Sequence, residues 1–453
     1  MYPNLYYVFK DWFGVQWKGL AFLNTFGLMV AFAFIAAAIV LTSELRRKEK
    51  LGLLFPREEV ITVGKSASIL DLLINFIVGF LFAYKIIGVF LNKPNDISAQ
   101  EYIFSKDGNI VAGIVAGLFF LGLKWWDKNK QKLKEPEQRT VRIWPHDRVG
   151  DIIILGLVFG ILGAKLFDDI ENWDDFIQHP IERIFSPSGL TFYGGLIFAA
   201  IAICWYAYKR GIKLKHLIDS AEPALMIGYA IGRIGCQVAG DGDWGIYNSA
   251  YITDPATAKV VAVNDDGYQN QVTKYSTYFL DGKVLDSGAA YPVEVTDRIA
   301  DKLSDIPHKS FRAPSFLPTW MVAYNYPQNV NKDGIKIPGC VDEHNRVLPV
   351  PVFPTPFYET ITCTLLFLFL WGIRRRIKTP GIIFSIYLIL NGIERFVVET
   401  IRVNIKYHIG SFNPSQAEVI SFLLVFTGLI MLIIFSRKNG KDHEEKNKLK
   451  IVE

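Results

Sequence analysis

Glu222 and Arg233 stand eleven positions apart in an apolar run near 217–238. An ionisable side chain in such a run is costly to place in hydrocarbon, so each is a candidate functional residue. Eleven residues is close to three helical turns, which puts both on one face of a helix. Gly228, Gly232 and Gly235 in the same run let a second backbone or a lipid headgroup approach. A further charged group closes the run near 380–399, in the stretch NGIERFVVETIR. There Arg395 and Glu399 are spaced i,i+4 and Glu399 and Arg402 i,i+3, so the three can line one face. Arginine suits phosphate because its planar fork binds two oxygens at once. Two arginines on separate helices would clamp one phosphate from two sides, with Glu399 orienting one of them. The plainer alternatives are a helix-packing pair around Glu222 and Arg233 and an interfacial ion-pair ladder at 395–402.

Other candidates lie at the ends of apolar runs. In SGLTFYGGLIF, Gly194 and Gly195 bring backbone within reach of a ligand, and Tyr193 falls at the expected membrane–water boundary. The turn AGDGDWG, residues 239–245, carries Asp241 and Asp243 to the outer surface and ends on Gly245. The four cysteines, Cys204, Cys236, Cys340 and Cys363, have no metal-ligand spacing. No metal site, disulfide framework or cofactor is expected.

These residues must be positioned by membrane helices. Apolar residues make up 51% of the 453, gathered in long runs. Nine runs are long enough to span, near 18–42, 68–92, 109–125, 149–167, 189–208, 217–238, 357–373, 380–399 and 415–436. The first is too long, and lacks the basic leader, for a cleaved signal peptide. Basic clusters follow the first, third, fifth, seventh and ninth runs, for example Arg46–Lys50 and Arg374–Lys378. Basic loops stay cytoplasmic, so nine spans put the N-terminus outside and the C-terminus inside. The formal charge of +5 is too mild for nucleic acid binding. The fold class expected is an all-α polytopic membrane protein with about nine transmembrane helices.

One loop differs. Residues 246–356 are long, polar and nearly charge-balanced, and AKVVAVNDDG and STYFLDGKVLDSG alternate apolar and polar residues around Asp-Gly turns. That pattern reads as β-hairpins, hence a small β-rich extracytoplasmic subdomain. The resulting organisation is an outside segment and first span (1–45), cytoplasmic loops with two further spans (46–148), a membrane core (149–245), the β-rich insertion (246–356), the C-terminal spans (357–436) and a frayed, charged cytoplasmic tail (437–453).

In order along the chain, the motifs resemble those of bacterial prolipoprotein diacylglyceryl transferases. FGLMVAF at 26–32 looks like the family's first-span YGLMY. GLTFYGGLIF at 189–198 looks like its GG-x-S-F-H-G-G-L, GRIGCQVAGDGDWG at 232–245 like GRIGNFINGELWG, and PTPFYE at 354–359 like HPTQLYE. GIERFVVETIR at 392–402 is similar to GxxRFxxExxR, and NPSQAEVISF to the start of the last span. The resemblance covers about 18–45 and 143–436; the two spans between 66 and 125 look like an insertion. It implies transfer of the diacylglyceryl group of phosphatidylglycerol to the lipobox cysteine of a preprolipoprotein at the outer face of the bacterial plasma membrane. The partners implied are phosphatidylglycerol and the preprolipoprotein signal peptide, with no cofactor. A monomer is expected, because one chain can build the site. The catalytic residues implied are Arg233, Arg395, Tyr193 and Glu399. The substrate-binding set is Gly194, Gly195, Gln237, Asp241, Asp243, Gly245, Arg402 and Glu222.

Several positions depart from the family pattern. Phe26 replaces a tyrosine, Tyr193 a histidine, Cys236 an asparagine, and Lys165 an arginine; the segment after Cys236 has one extra residue. A phenol is a poorer base than an imidazole at neutral pH. Gln237 offers an amide in place of the asparagine, and Asp241 or Asp243 the acidic position. The phosphate-binding half of the pattern is kept and the proton-handling half altered. Two readings follow, a transferase with another base and a non-catalytic phospholipid-binding relative. A transporter or channel is a third, weakened by the absence of a recognisable internal repeat.

Overall fold

The computed structural model describes residues 1–92, 102–103, 105–185, 191–242, 244–281, 299–402 and 414–452. Among them, nine helices have eighteen residues or more: α1 (Thr25–Lys50), α2 (Ile69–Leu91), α3 (Ile110–Lys130), α4 (Val149–Glu171), α5 (Phe192–Lys209), α6 (Leu214–Ala239), α7 (Thr355–Ile373), α8 (Ile382–Glu399) and α9 (Gln416–Val452). Seven helices are long and apolar enough to cross a membrane. The two that fall short are α6 and α8, which carry Glu222 and Arg233, and Glu394, Arg395 and Glu399. The chain is a mostly helical, multi-pass membrane protein.

Contacts divide the chain into two units, Met1–Val40 with Ile218–Glu453, and Leu41–Leu217. In the first unit, Met226, Ala230, Cys363, Leu370 and Ile383 form a core shared by α6, α7 and α8. Asp219 near the start of α6 ties that helix to α8, its Oδ2 accepting from Gly381 N at 2.8 Å and its Oδ1 from Phe384 N at 3.0 Å. Gly381 has φ +96°, a conformation side chains disfavour, and it turns the chain into α8. Helices α8 and α9 pack closely where Gly392 meets Ser421 O and Gly428 meets Ser385 O.

The first apolar run begins its helix later than position 18. Residues Lys18–Phe22 form a 3-10 turn, and Leu5 N and Thr25 N bond to Leu23 O and Pro3 O. The helix then runs on through Arg46–Lys50. At the other end, α9 continues through Val452 where fraying was expected from Lys438. The stretch from Lys438 is rich in Lys and Glu, both good helix formers, and can extend an existing helix.

The 246–356 segment corrects the expected β-rich subdomain. Its described strands have two or three residues each and pair two by two, as in Tyr251–Thr253 against Val260–Ala262. The NDDG stretch is no hairpin turn: Asn264 caps a helix, Asp265–Lys274, by accepting from Gly267 N at 3.0 Å. Ser276–Asp281 is helical too, and 282–288 of the second expected hairpin lies outside the described residues. Buried polar side chains staple the loops. Asn248 donates to Phe311 O and Val322 O, and Gln271 to Thr253 O and Pro349 O. Tyr247, Tyr268, Phe279, Tyr326 and Leu348 fill the core beneath them.

In the second unit, α2 and α3 pack through Gly79, Gly113 and Gly117, which receive Phe120, Phe80 and Phe76. This helical pair rises from an antiparallel ribbon that the sequence reading missed, β1 (Arg57–Val63) against β2 (Glu137–Ile143), in register from Arg57↔Ile143 to Val63↔Glu137. Helices α4 and α5 pack against each other where Gly163 meets Gly194 and Gly160 meets Gly195.

Candidate active site

In the first unit, charged side chains of α6, of α8 and of the segment just beyond α8 gather around one buried carboxylate of α7. Glu359, on the second turn of α7, is 0% exposed. Arg233 of α6 places Nε 3.0 Å from Glu359 Oε2. Arg395 of α8 places Nη1 3.6 Å, and Arg402 just beyond α8 places Nη1 3.9 Å, from Glu359 Oε1. Tyr229, one turn before Arg233, donates its hydroxyl to Glu359 Oε1 at 2.9 Å. The Arg233 guanidinium lies 5.4 Å from the Tyr229 ring centroid and donates to Cys236 Sγ at 3.7 Å. The Arg233 ion pair is short, whereas the Arg395 and Arg402 contacts are long for ion pairs.

Neighbouring elements hold these side chains. Glu399 accepts from Ser415 Oγ at 2.5 Å and faces Arg395 Nη2 at 3.7 Å. Ser415 is itself tied into the capping box that opens α9, with Glu418 as its partner. Arg402 is placed by its backbone. Gly245 forms a bridge with Arg402, Ile246 N donates to Ile401 O at 2.9 Å, and Gly245 N donates to Phe353 O at 2.8 Å. A Cβ on Gly245 would lie 2.7 Å from Ile401 O and 2.9 Å from Phe353 O, so a side chain there would push the two segments apart.

Three guanidinium groups thus stand against Glu359 and Glu399. A third acid, Glu394, is buried on α8 within electrostatic reach of Arg233, Arg395 and Arg402, and neither of its oxygens has a hydrogen-bond partner among the described residues. Such an arrangement binds anions. Its donors are fixed, it is largely closed to water, and guanidinium forks match phosphate oxygens.

The sequence-derived candidates divide accordingly. Arg233, Arg395, Glu399, Arg402 and Gly245 come together. Glu222 is buried with Oε2 lacking a hydrogen-bond partner among the described residues, but eleven residues of helix put it about 16 Å from Arg233 along the axis. Their shared face therefore makes no ion pair; Glu222 lies beside Asp219 and Tyr387. Gln237 accepts from the Tyr326 hydroxyl at 2.8 Å, which leaves its amide NH2 without a partner among the described residues. Asp241 sits between Gly240 and Gly242, whose φ values of +68° and +93° shape the turn; Asp243 lies outside the described residues. Phe26 packs on Gly235. Tyr193, Gly194 and Gly195 belong to the second unit. There the two glycines are buried against α4, where they allow helices to touch rather than exposing backbone.

Glu359, Tyr229 and Glu394 were not singled out from the sequence. Glu359 was legible in principle, since it is an acid at the edge of the apolar run 357–373, and the cost of an intramembrane charge applies to it as to Arg233.

The family model for prolipoprotein diacylglyceryl transferase matches residues 109–434. The phosphatidylglycerol–prolipoprotein diacylglyceryl transferase of Leptospira interrogans is 33% identical over 124 residues, which is 22% of this chain and 39% of that protein. The enzyme of that name from Streptococcus mutans is 25% identical over 311 residues, 68% of this chain and 85% of that protein. That from Dehalococcoides mccartyi is 37% identical over 116 residues, 25% of this chain and 44% of that protein. With the model covering well over half of its length, the chain belongs to the prolipoprotein diacylglyceryl transferase family.

Proposed function

We propose that this protein transfers the diacylglyceryl group of phosphatidylglycerol to the lipobox cysteine of preprolipoproteins. The thiol sulfur attacks the glycerol carbon that bears the phosphate. A C–S bond forms, the C–O bond breaks, and its electron pair leaves on glycerol 1-phosphate. The phosphodiester begins with one negative charge and departs with close to two, so catalysis needs cations where that second charge appears. The observation that carries the reading is the convergence of Arg233, Arg395 and Arg402 on Glu359. Arg233 and Arg395 hold the phosphate from two helices, Arg402 adds a third donor, and Glu359 and Glu399 orient them. Gln237 offers its amide to the lipid glycerol or the peptide, and Asp241 or Asp243 supplies the acidic position. Tyr193 stands in the family's histidine position; a neutral phenol keeps its own proton, so the thiol proton passes to another base.

The protein resides in the bacterial plasma membrane with nine spans. Helices α6 and α8 cross despite their charges, because those charges face one another. The basic ends of α1, α3, α5, α7 and α9 are cytoplasmic, which puts the N-terminus and 246–356 outside. A single-cysteine scan with an impermeant thiol reagent tests this topology; labelling of the 374–378 loop from outside the cell would overturn it.

The substitutions at Phe26, Tyr193 and Cys236 favour a second reading, a phospholipid-binding relative without transfer. One experiment separates the two. Purified protein in liposomes is given phosphatidylglycerol labelled in its acyl chains and a lipobox peptide, beside Arg233→Ala and Arg395→Ala. Thioether-linked label on the peptide, lost in both variants, is the expected result. Arginine-dependent lipid binding with no label on the peptide would establish the second reading instead.

A further inference from the structure

The second unit holds a cavity of about 290 Å³ where ribbon β1–β2 meets the C-terminal end of α5. Arg57, Glu58 and Glu59 of β1 line one side, and Trp205, Lys209 and Arg210 the other. The acids are already engaged. Glu59 Oε1 lies 2.5 Å from Arg148 Nη2 and 3.0 Å from Arg210 Nη1, and Glu58 accepts from Arg142 at 3.0 Å. The donors are not used up. Arg57 gives one N–H to Lys209 O at 2.6 Å, and Arg210 lies 5.4 Å from the Tyr206 ring centroid. The Lys209 ammonium, the Trp205 indole N–H and the remaining guanidinium N–H groups of Arg57 have no partner among the described residues. Five cations (Arg57, Arg142, Arg148, Lys209, Arg210) face Glu58, Glu59 and Asp151, an excess of two positive charges.

The cavity continues into an apolar track. Ile197, Ile201, Trp205 and Tyr208 are exposed at spacings of four, four and three along α5, a single stripe running from the middle of the helix to the cation cluster. Trp205 is 63% exposed and belongs to both, an amphipathic ring of the kind that suits the boundary between hydrocarbon and headgroups. A free phosphate would use the cations and leave the stripe idle. A phosphate carrying acyl chains uses both.

We propose that this cavity is a binding site for an anionic phospholipid of the cytoplasmic leaflet, distinct from the arginine cluster around Glu359. Its phosphate takes the open donors of Arg57, Lys209 and Trp205, and its chains lie along Ile201 and Ile197. The volume is at the small end of the roughly 300–1,000 Å³ usual for ligand sites, in keeping with a site that receives the headgroup and leaves the chains in the bilayer. Because Arg57, Glu58 and Glu59 come from the ribbon beneath α2 and α3, the lipid fastens that ribbon to α5.

The test uses the full chain in detergent and phosphatidylserine, so that phosphatidylglycerol turnover does not intervene. Bound lipid is counted by native mass spectrometry for wild type, Lys209→Glu, the double variant Arg57→Ala/Lys209→Ala, and Arg233→Ala. Lys209 is exposed and its ammonium unpartnered, so Lys209→Glu leaves the fold intact. The expected result is one phosphatidylserine retained by wild type and Arg233→Ala and lost in Lys209→Glu, with Kd roughly thirtyfold weaker in the double variant. Undiminished binding in both cavity variants overturns the proposal, as does loss confined to Arg233→Ala. Phosphatidylcholine bound as tightly would overturn the charge argument, and inorganic phosphate bound as tightly as the lipid would overturn the role of the stripe.

Discussion

Glu359→Gln preserves the shape of a fully buried side chain while removing the charge around which three arginines gather. Arg233, Arg395 and Arg402 lie 3.0, 3.6 and 3.9 Å from its oxygens. At an effective dielectric of about 20, each contact is a gross attraction of about 4–6 kcal/mol. Desolvation cancels most of that. Removing one partner of a buried pair nonetheless costs about 3–5 kcal/mol, because the opposing charge is left uncompensated. With no lipid bound, the variant therefore unfolds at lower temperature than wild type. A phosphate restores the missing negative charge, so phosphatidylglycerol recovers much of the loss, and KM for the lipid falls or stays level. The reaction slows all the same, because Arg233, Arg395 and Arg402 lose the carboxylate that holds their guanidinium groups in place. A misplacement of about 1 Å lowers kcat by roughly a hundredfold. Steady-state transfer in liposomes across a range of phosphatidylglycerol fractions, with melting curves with and without lipid, measures both effects. A raised KM with wild-type kcat would refute the reasoning, since it would make Glu359 a contact for substrate rather than a competitor for its arginines.

Gly245→Ala sets a methyl 2.7 Å from Ile401 O and 2.9 Å from Phe353 O, costing about 1–3 kcal/mol and shifting Arg402; transfer should drop tenfold or more, and an alanine variant with full activity would remove Gly245 from the site. Glu394→Met replaces a buried carboxyl that makes no hydrogen bond, so the melting temperature should rise, the gain reflecting about 1–3 kcal/mol of relieved desolvation. In the 246–356 segment, burial pushes Asp333 up to about 6, against the pull of Tyr278, Gly334 N–H and Arg346. A folded-state value above the unfolded 3.8 means that Asp333 favours the native state fully below about pH 4 and that this contribution is lost as pH rises to about 6. Asp333→Asn should flatten that part of the pH–stability curve and raise stability at pH 7; an unchanged curve would refute the assignment.

The helices were the most legible part of the fold, because a hydrocarbon-spanning run is a strong signal in any context. What escaped was decided elsewhere in the chain. REEVITV and EQRTVRI each combine charged with β-branched residues, as exposed ribbon strands do, yet eighty residues separate their starts and no turn motif joins them. The NDDG stretch failed for the opposite reason. Asn and Asp suit both a tight turn and a helix N-cap, and the residues after Gly267 decide between them; here they form a helix whose Tyr268 and Val272 reach the core. The paired glycines 194 and 195 likewise admit a ligand or a helix, and Gly163 and Gly160 opposite them supply the helix.

The site was half legible for a related reason. The cost of an intramembrane charge picked out Glu222, Arg233, Arg395 and Glu399 as a class, but spacing along one helix says nothing about which helix faces it. That is settled by Asp219 capping α8 and by Gly245 admitting the Arg402 backbone, neither of which has a local signature. The resulting asymmetry bears on the proposed reaction. Arg233 is bound closely to Glu359, while Arg395 and Arg402 stand 3.6 and 3.9 Å away, near it without being committed to it. With Glu394 uncharged, three guanidinium groups against Glu359 and Glu399 leave about one positive charge uncompensated, enough for the phosphodiester of the substrate. The second charge that grows on the departing phosphate is then met by Arg395 and Arg402 moving off Glu359 at little cost. A cluster fully neutralised by its own carboxylates would bind neither state well, and one with no carboxylate would lack the groups that hold its guanidinium forks in place. The substitutions at Phe26, Tyr193 and Cys236 leave this balance of three guanidinium groups and two carboxylates intact.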